Sequence, residues 1–218
     1  MQVSLLAISR VADFFNVTCM TSEGTWVRPI PGHGKNRFWT REELTHSNGR
    51  FVRTGDIWEI KGRKPRRPLY SNYAEDFIIS RRIHEKTLPL SVFLDFIDHN
   101  CENEHAFLDT IYARGRSVCM VKASEVRASA SAIQGKMRTK MKVTGQQFDV
   151  ANPFMMDSEY IVKDCKWEGL IKSGVQCTNL QRAFVCIGLA PPINGVQYPQ
   201  ILGFHSDPDI VHPASYPD

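Results

Sequence analysis

Short apolar runs, repeatedly interrupted by Gly, Pro, Asn and Asp, set the pattern of this chain and predict a protein made mainly of strands. Val3 to Arg10 reads as the first strand and Val17 to Met20 as the second, with Gly24 breaking the chain before Thr25-Trp26-Val27-Arg28. Pro29 and Pro31 are expected to end that third segment, because neither can donate to a ladder. Thr40 to Leu44 carries the signature of a short helical turn, with Thr40 as cap and Glu43 at N3. Ser47-Asn48-Gly49-Arg50 and Gly55-Asp56 mark turns, and the second leads into the β-prone Ile57-Trp58-Glu59-Ile60. Phe77-Ile78-Ile79 is a further short strand.

One stretch changes period. Phe93, Phe96 and Ile97, then Phe107, Leu108, Ile111 and Tyr112, recur at helical spacing, with Asn100 to Asn103 dividing them into two short helices. Strand-like runs then resume at Ser117 to Val121, Gly135 to Val143, Gln147 to Val150, Tyr160 to Val162, Ala183 to Leu189 and Ile201 to Phe204. Thr144-Gly145 fits a hairpin turn. The expected organisation is a first module over 1–89, a helical connector over 90–115, a second module over 116–206 and a loose tail over 207–218. The fold class is α+β, mostly β, made of small barrels or sandwiches.

Composition changes little in this picture. At 218 residues with 42% apolar content the chain can bury a core without staples. The start, Met1 to Ile8, lacks a basic n-region and reads as a strand, not a signal peptide. No apolar run approaches the roughly 18 residues that cross a membrane. Cysteines 119 and 186 lie within apolar runs, which suits buried free thiols and a cytoplasmic compartment. The net charge is only +4, but eleven Lys or Arg against four acidic residues fall between Trp26 and Arg67. A localised field of that sign attracts a polyanion, and serves equally as a solvated surface.

Three passages carry a family resemblance. They are Leu5-Leu6-Ala7-Ile8-Ser9-Arg10 with Cys19 and Trp26-Val27-Arg28-Pro29-Ile30; Gly55-Asp56-Ile57-Trp58-Glu59-Ile60 with Tyr73-Ala74-Glu75-Asp76-Phe77-Ile78; and Ala183 to Pro192 with Tyr198-Pro199-Gln200-Ile201-Leu202-Gly203-Phe204. Together these resemble the dual OB-containing domain family of prokaryotic conflict systems. The resemblance implies two tandem OB-like barrels and a role in binding nucleic acid or a modified nucleotide. It places recurrent first-barrel positions on Ala7, Ser9, Arg10, Cys19, Trp26, Arg28, Pro29, Gly55 and Asp56. The chain departs from the family at Val11 to Phe15, where a basic residue and glycines are usual, and Asp13 there weakens attraction for phosphate.

Candidate binding residues fall into three groups. Arg10, Trp26 and Arg28 combine an aromatic ring for base stacking with cations for phosphate, or else Trp26 fills the barrel while Arg28 pairs an acidic neighbour such as Glu59 or Asp56. Lys61, Arg63, Lys64, Arg66 and Arg67 form the densest basic run and suit a phosphate backbone, or a solvated hairpin tip. Lys136, Arg138, Lys140 and Lys142 alternate with Met137, Thr139, Met141 and Val143, so a strand here has one basic face. The spacing His99-x-Cys101-x3-His105 lacks the paired pattern of structural zinc. Walker-type, HExxH and nucleophile-elbow motifs are absent from the sequence. The expectation is therefore a binding protein without catalytic residues, metal or cofactor. Its partner is DNA or RNA, with a larger protein of a defence complex or a nucleotide as the alternatives.

Overall fold

The structure, a computed structural model, describes residues 1–32, 37–102, 110, 115–133, 136–144, 159–176 and 179–210. It divides into two compact units, Met1–Phe93 and Leu94–Asp218, and is mostly strand, as the patterning predicts. The first unit contains β1 (Gln2–Val11), β2 (Phe14–Met20), β3 (Trp26–Pro31), β4 (Asp56–Arg63) and β5 (Asp76–Thr87). The unit boundary falls within α1 (Leu90–Asn100), whose buried residues are Phe93, Leu94 and Ile97, with Phe96 partly covered. The expected second helix, with Phe107, Leu108, Ile111 and Tyr112, lies outside the described residues.

The first unit is a closed barrel in the order β1-β2-β3-β5-β4. β1 pairs antiparallel with both β2 and β4, and β3 runs parallel to β5. This order is compatible with an OB-like barrel. Val3, Leu5, Leu6, Ile8, Val17, Cys19, Trp58 and Ile60 are almost fully buried in it.

Pro29 and Pro31 do not end β3; they are part of it. Arg28 donates its N–H to Glu75 O at 2.7 Å, so its backbone faces β5. The two prolines therefore face the other side, where pairing with β2 has already stopped at Val27. β5 is also far longer than Phe77-Ile78-Ile79. Its remainder, Ser80 to Thr87, is too polar to read as strand yet pairs with β4 along its length. The Thr40 turn stays a turn, but its reciprocal cap is made: Thr40 N–H donates to Glu43 Oε2 at 2.7 Å and Glu43 N–H to Thr40 Oγ1 at 3.2 Å.

The second unit contains β6 (Val118–Lys122), β7 (Glu125–Ile133), β8 (Lys136–Thr144), β9 (Glu159–Val162), α2 (Cys165–Lys172), β10 (Arg182–Leu189) and β11 (Pro199–Asp207). These strands form one sheet in the order β6-β10-β11-β9-β8-β7. Its two end strands are consecutive in the chain, joined only by Ala123 and Ser124. Ala123 N–H bonds to Ala183 O at 3.0 Å beside β10, and Ser124 N–H bonds to Thr144 O at 2.9 Å beside β8. β6 and β7 thus act as one bent strand that pairs with β10 through its first half and with β8 through its second. Counting them as one, the ladder order repeats that of the first unit, including a parallel pair, β9 with β11. The run Gln147 to Val150 lies outside the described residues.

α2, which the patterning did not reveal, fills the connection between β9 and β10. Trp167 packs edge-on to Phe204 and donates its indole N–H to Phe204 O at 2.9 Å. Asp164 caps α2 by accepting from Lys166 N and Trp167 N, and its other oxygen accepts from Phe204 N at 2.7 Å. The segment expected to be a loose tail is tied down at its start: Asp207 ends β11 and pairs with Arg182, and Asp209 pairs with Lys166.

Asp164→Ala removes the cap and leaves a buried N–H unpaired, and is expected to destabilise the second unit by about 2–4 kcal/mol. Burial pushes the Asp164 carboxyl up to about 6 against the opposing pull of Phe204, Trp167 and Lys166. A raised folded value means that its contribution is full below about 4 and is lost as pH rises through about 6. Amide exchange of α2 and β11 should therefore quicken over that window, and Asp164→Asn should flatten the dependence.

Candidate functional site

The basic run of the first unit sits at the end of β4 and in the loop that follows. Gly62 makes this possible: a Cβ there would lie 2.0 Å from Ile78 O, and the register with β5 shifts between Lys61 and Gly62. Lys61, Arg63, Lys64, Arg66 and Arg67 are all exposed, and none forms an ion pair with a described residue. Arg81, opposite Lys61 on β5, is exposed beside them.

β8 carries the second basic run as predicted. Thr139, Met141 and Val143 are buried, while Lys136, Arg138 and Lys142 are exposed and Lys140 pairs with Glu159 at 3.1 Å. Met137 departs from the expected inward face because the far end of the ribbon stands clear of the core. Every residue from Ser129 to Ala132 is exposed, as are Lys136, Met137 and Arg138 across from them. Arg127, Ser129 and Ser131 extend the basic face on β7 by standing opposite Lys142, Lys140 and Arg138.

The third group is placed differently. Arg10 is half-buried with its guanidinium 5.9 Å from the Phe15 ring centroid. Trp26 is buried in the barrel. Arg28 is only 6% exposed and directs its guanidinium at Glu75 and Asp76, with the Tyr73 ring 4.2 Å away. Arg37 joins the same network through Asp76. Burial pushes the Tyr73 phenol up to about 12. Arg28 thus takes the pairing alternative, with Glu75 and Asp76 as the partners in place of Asp56 or Glu59. The fragment Tyr73-Ala74-Glu75-Asp76 ties the start of β5 to β3 through charge as well as ladder.

A further polar group was missed by sequence reasoning. Asp56, fully buried at the start of β4, accepts from Thr87 Oγ1 at 2.6 Å, Arg53 N at 3.1 Å and Arg50 Nη2 at 3.2 and 3.3 Å. His46 Nε2 lies 3.4 Å from its Oδ2 and His84 Nε2 lies 3.5 Å from its Oδ1. The two imidazoles stand 4.4 Å apart between centroids. Gly55, at φ +85°, turns the chain so that its own N–H meets Leu5 O while Asp56 enters the barrel. Burial raises the Asp56 carboxyl, but the Thr87, Arg53 and Arg50 donors outweigh it and hold the carboxyl below its ordinary value. Burial lowers the His46 imidazole below its ordinary value, against the pull of Asp56. Only the Gly55-Asp56 turn hinted at this arrangement, since His46 and His84 are far apart in sequence and each is isolated.

Beside it, Arg82 reaches inward between two indoles, 4.5 Å from the Trp58 ring and 5.2 Å from the Trp39 ring, and bonds to Glu43 O. Among the described residues, Cys19, Cys101, Cys119, Cys165 and Cys186 are free thiols. Burial pushes Cys19 and Cys119 far above the range of a reactive thiolate.

No protein family, curated protein or solved structure matches this chain. What stands beside the motifs is the strand order, a closed five-stranded barrel and a second sheet, both compatible with OB-like barrels.

Arg28→Ala leaves two carboxylates buried without their cation and is expected to cost about 3–5 kcal/mol, read by thermal or urea unfolding. Asp56 carries the opposite pH sign to Asp164. Its folded value is lowered, so its contribution is present above the ordinary carboxylate range and is lost as pH falls through that range. Asp56→Asn should blunt the acid destabilisation of the first unit.

Proposed function

We propose that this protein is a non-catalytic nucleic-acid-binding accessory protein that holds a phosphate backbone through its two basic ribbons. The observation that carries this reading is the exposed set Lys61, Arg63, Lys64, Arg66 and Arg67, free of ion pairs with the described residues, at the end of the fourth strand of a barrel and on its connection to the fifth. OB-type barrels use that connection to contact oligonucleotides. The β7–β8 ribbon adds Lys136, Arg138 and Lys142 on a projecting arm of a second surface. Trp26 and Arg28 are left out of this interface, because both are buried. The resemblance of its motifs to the dual OB-containing domain family supports a role in a prokaryotic defence or mobile-element system.

A second reading, a protein-interaction adaptor in such a complex, is favoured by one observation. The β10–β11 connection carries Ile193, Val196 and Tyr198 at 64, 49 and 50% exposure. Asn194 and Gly195, both at positive φ, fold these residues into a small hairpin through the Ile193–Val196 bridge.

A salt-titrated screen against single- and double-stranded DNA and RNA tests the first reading. Nucleic-acid binding should weaken steeply with salt, with a log–log slope of about 0.7–0.9 per phosphate neutralised. Neutralising Arg63, Lys64, Arg66 and Arg67 together should lower both affinity and slope. Unchanged binding after that substitution and after neutralising Lys136, Arg138 and Lys142 would overturn the assignment. Ile193→Ser with Val196→Ser should leave oligonucleotide binding intact and abolish co-purification with a protein partner if the adaptor reading holds.

A further inference from the structure

The group around Asp56 has the geometry of a metal site. His46 comes from the turn-rich segment between β3 and β4, Asp56 from the first residue of β4, and His84 from β5. One ligand atom from each lies within 4.8 Å of the other two. The individual separations are 3.4 Å for His46 Nε2 to Asp56 Oδ2 and 3.5 Å for His84 Nε2 to Asp56 Oδ1. Two ligand atoms held about 2.1 Å from one ion at a tetrahedral angle stand about 3.4 Å apart. Each histidine therefore stands at about that spacing from one oxygen of Asp56, His46 from Oδ2 and His84 from Oδ1, so the carboxylate faces both imidazoles at once. Thr87 Oγ1 and Arg53 N hold the carboxylate from behind, the kind of outer contact that fixes a ligand's orientation.

Arg50 is the complication and also an indication. Its Nη2 lies 3.2 and 3.3 Å from the Asp56 oxygens and 3.5 Å from His84 Nε2, so a positive charge already sits against this group. The fit is incomplete, because its Nη1 is buried without a hydrogen-bond partner among the described residues. Its side chain is 30% exposed and can turn out to solvent. Among the described residues Arg50 is the one Lys or Arg that pairs with Asp56, and a neutral His84 or His46 offers a nitrogen lone pair.

We propose that His46, Asp56 and His84 form a binding site for one divalent first-row transition ion of the zinc class, and that the Arg50 guanidinium competes with that ion for Asp56. Two imidazoles and one carboxylate select such ions over magnesium or calcium, which prefer all-oxygen sets. Three protein ligands leave a fourth position for water or a ligand oxygen. The proposal does not rest on nucleic-acid binding, and either can fail without the other.

The test is equilibrium dialysis of the full chain against zinc chloride, paired with a cobalt(II) titration followed by visible absorption. One saturable zinc per chain is expected, with His84→Ala and His46→Ala each weakening it at least tenfold. Arg50→Ala should tighten binding several-fold, an effect that a purely structural arginine would not produce. Circular dichroism confirms that each variant is folded, and His84→Gln serves where the alanine variant is not. Saturable zinc that is unchanged in both histidine variants overturns the proposal, as does its absence from both the native chain and Arg50→Ala. A strong near-ultraviolet cobalt–thiolate band that survives His84→Ala places the ion on cysteines and overturns it as well.

Discussion

A strand that starts in one ladder and ends in another has to bend, and both units are organised by such a strand. In the first, β1 pairs with β4 over Gln2 to Ser4 and with β2 over Ser4 to Val11, with a register shift between Leu5 and Ala7. In the second, the bend is sharp enough to interrupt the strand at Ala123 and Ser124, whose N–H groups are handed to β10 on one side and β8 on the other. Because buried backbone donors need acceptors, this hand-over lets one bent strand serve the ladders at both ends of the second sheet. The parallel β3·β5 and β9·β11 pairs follow, since the third strand must reach the fifth to complete the order.

Buried carboxylates then tie the connections to these frames. Asp56 gathers Arg50, Arg53, His46 and Thr87. Glu75 and Asp76 take Arg28, and Asp76 also takes Arg37. Asp164 gathers the start of α2 and the backbone of β11. Each sits at the end of an element and not in its middle, where side-chain oxygens can replace ladder partners that the backbone no longer provides. The electrostatic outcome differs with the donors. Asp56 faces a guanidinium and a hydroxyl besides one backbone N–H and is held below its ordinary value, whereas Asp164 faces mainly backbone N–H groups and is pushed up by burial.

The strands that were plain in the sequence are those whose inward residues are aliphatic: β1, β6, β10 and the inner face of β8. What stayed hidden has specific causes. The second half of β5 points Arg82 and His84 inward, and these polar residues erase the alternation that would mark a strand. From Ala128 on, β7 reads as Ser and Ala in alternation, too small to register as a buried face, and Ser129 to Ala132 are all exposed. Pro29 and Pro31 looked like terminators because the sequence does not show that β2 stops short of them. The Asp56 group needed three segments brought together by pairing, with Trp58 opposite His84 in the β4–β5 register. No spacing along the chain could have announced it. The exposed basic runs, by contrast, were legible, because solvation imposes no partner that folding has to reveal.

Equal ladder order with unequal surfaces is the feature that gives the two units different prospects. The connection between fourth and fifth strands is cationic in the first unit, with Lys64, Arg66 and Arg67, and apolar in the second, with Ile193, Val196 and Tyr198. A cationic loop gains from long-range attraction and is weakened by salt, whereas an apolar tip acts only on contact and is indifferent to salt. The same frame thus carries one surface suited to a polyanion and another suited to a protein groove. The two readings of function are in this sense readings of different loops, and evidence for one does not count against the other. The charge asymmetry in the sequence has a structural counterpart of the same kind: the frame sets where the loops emerge, and loop composition sets what each can hold.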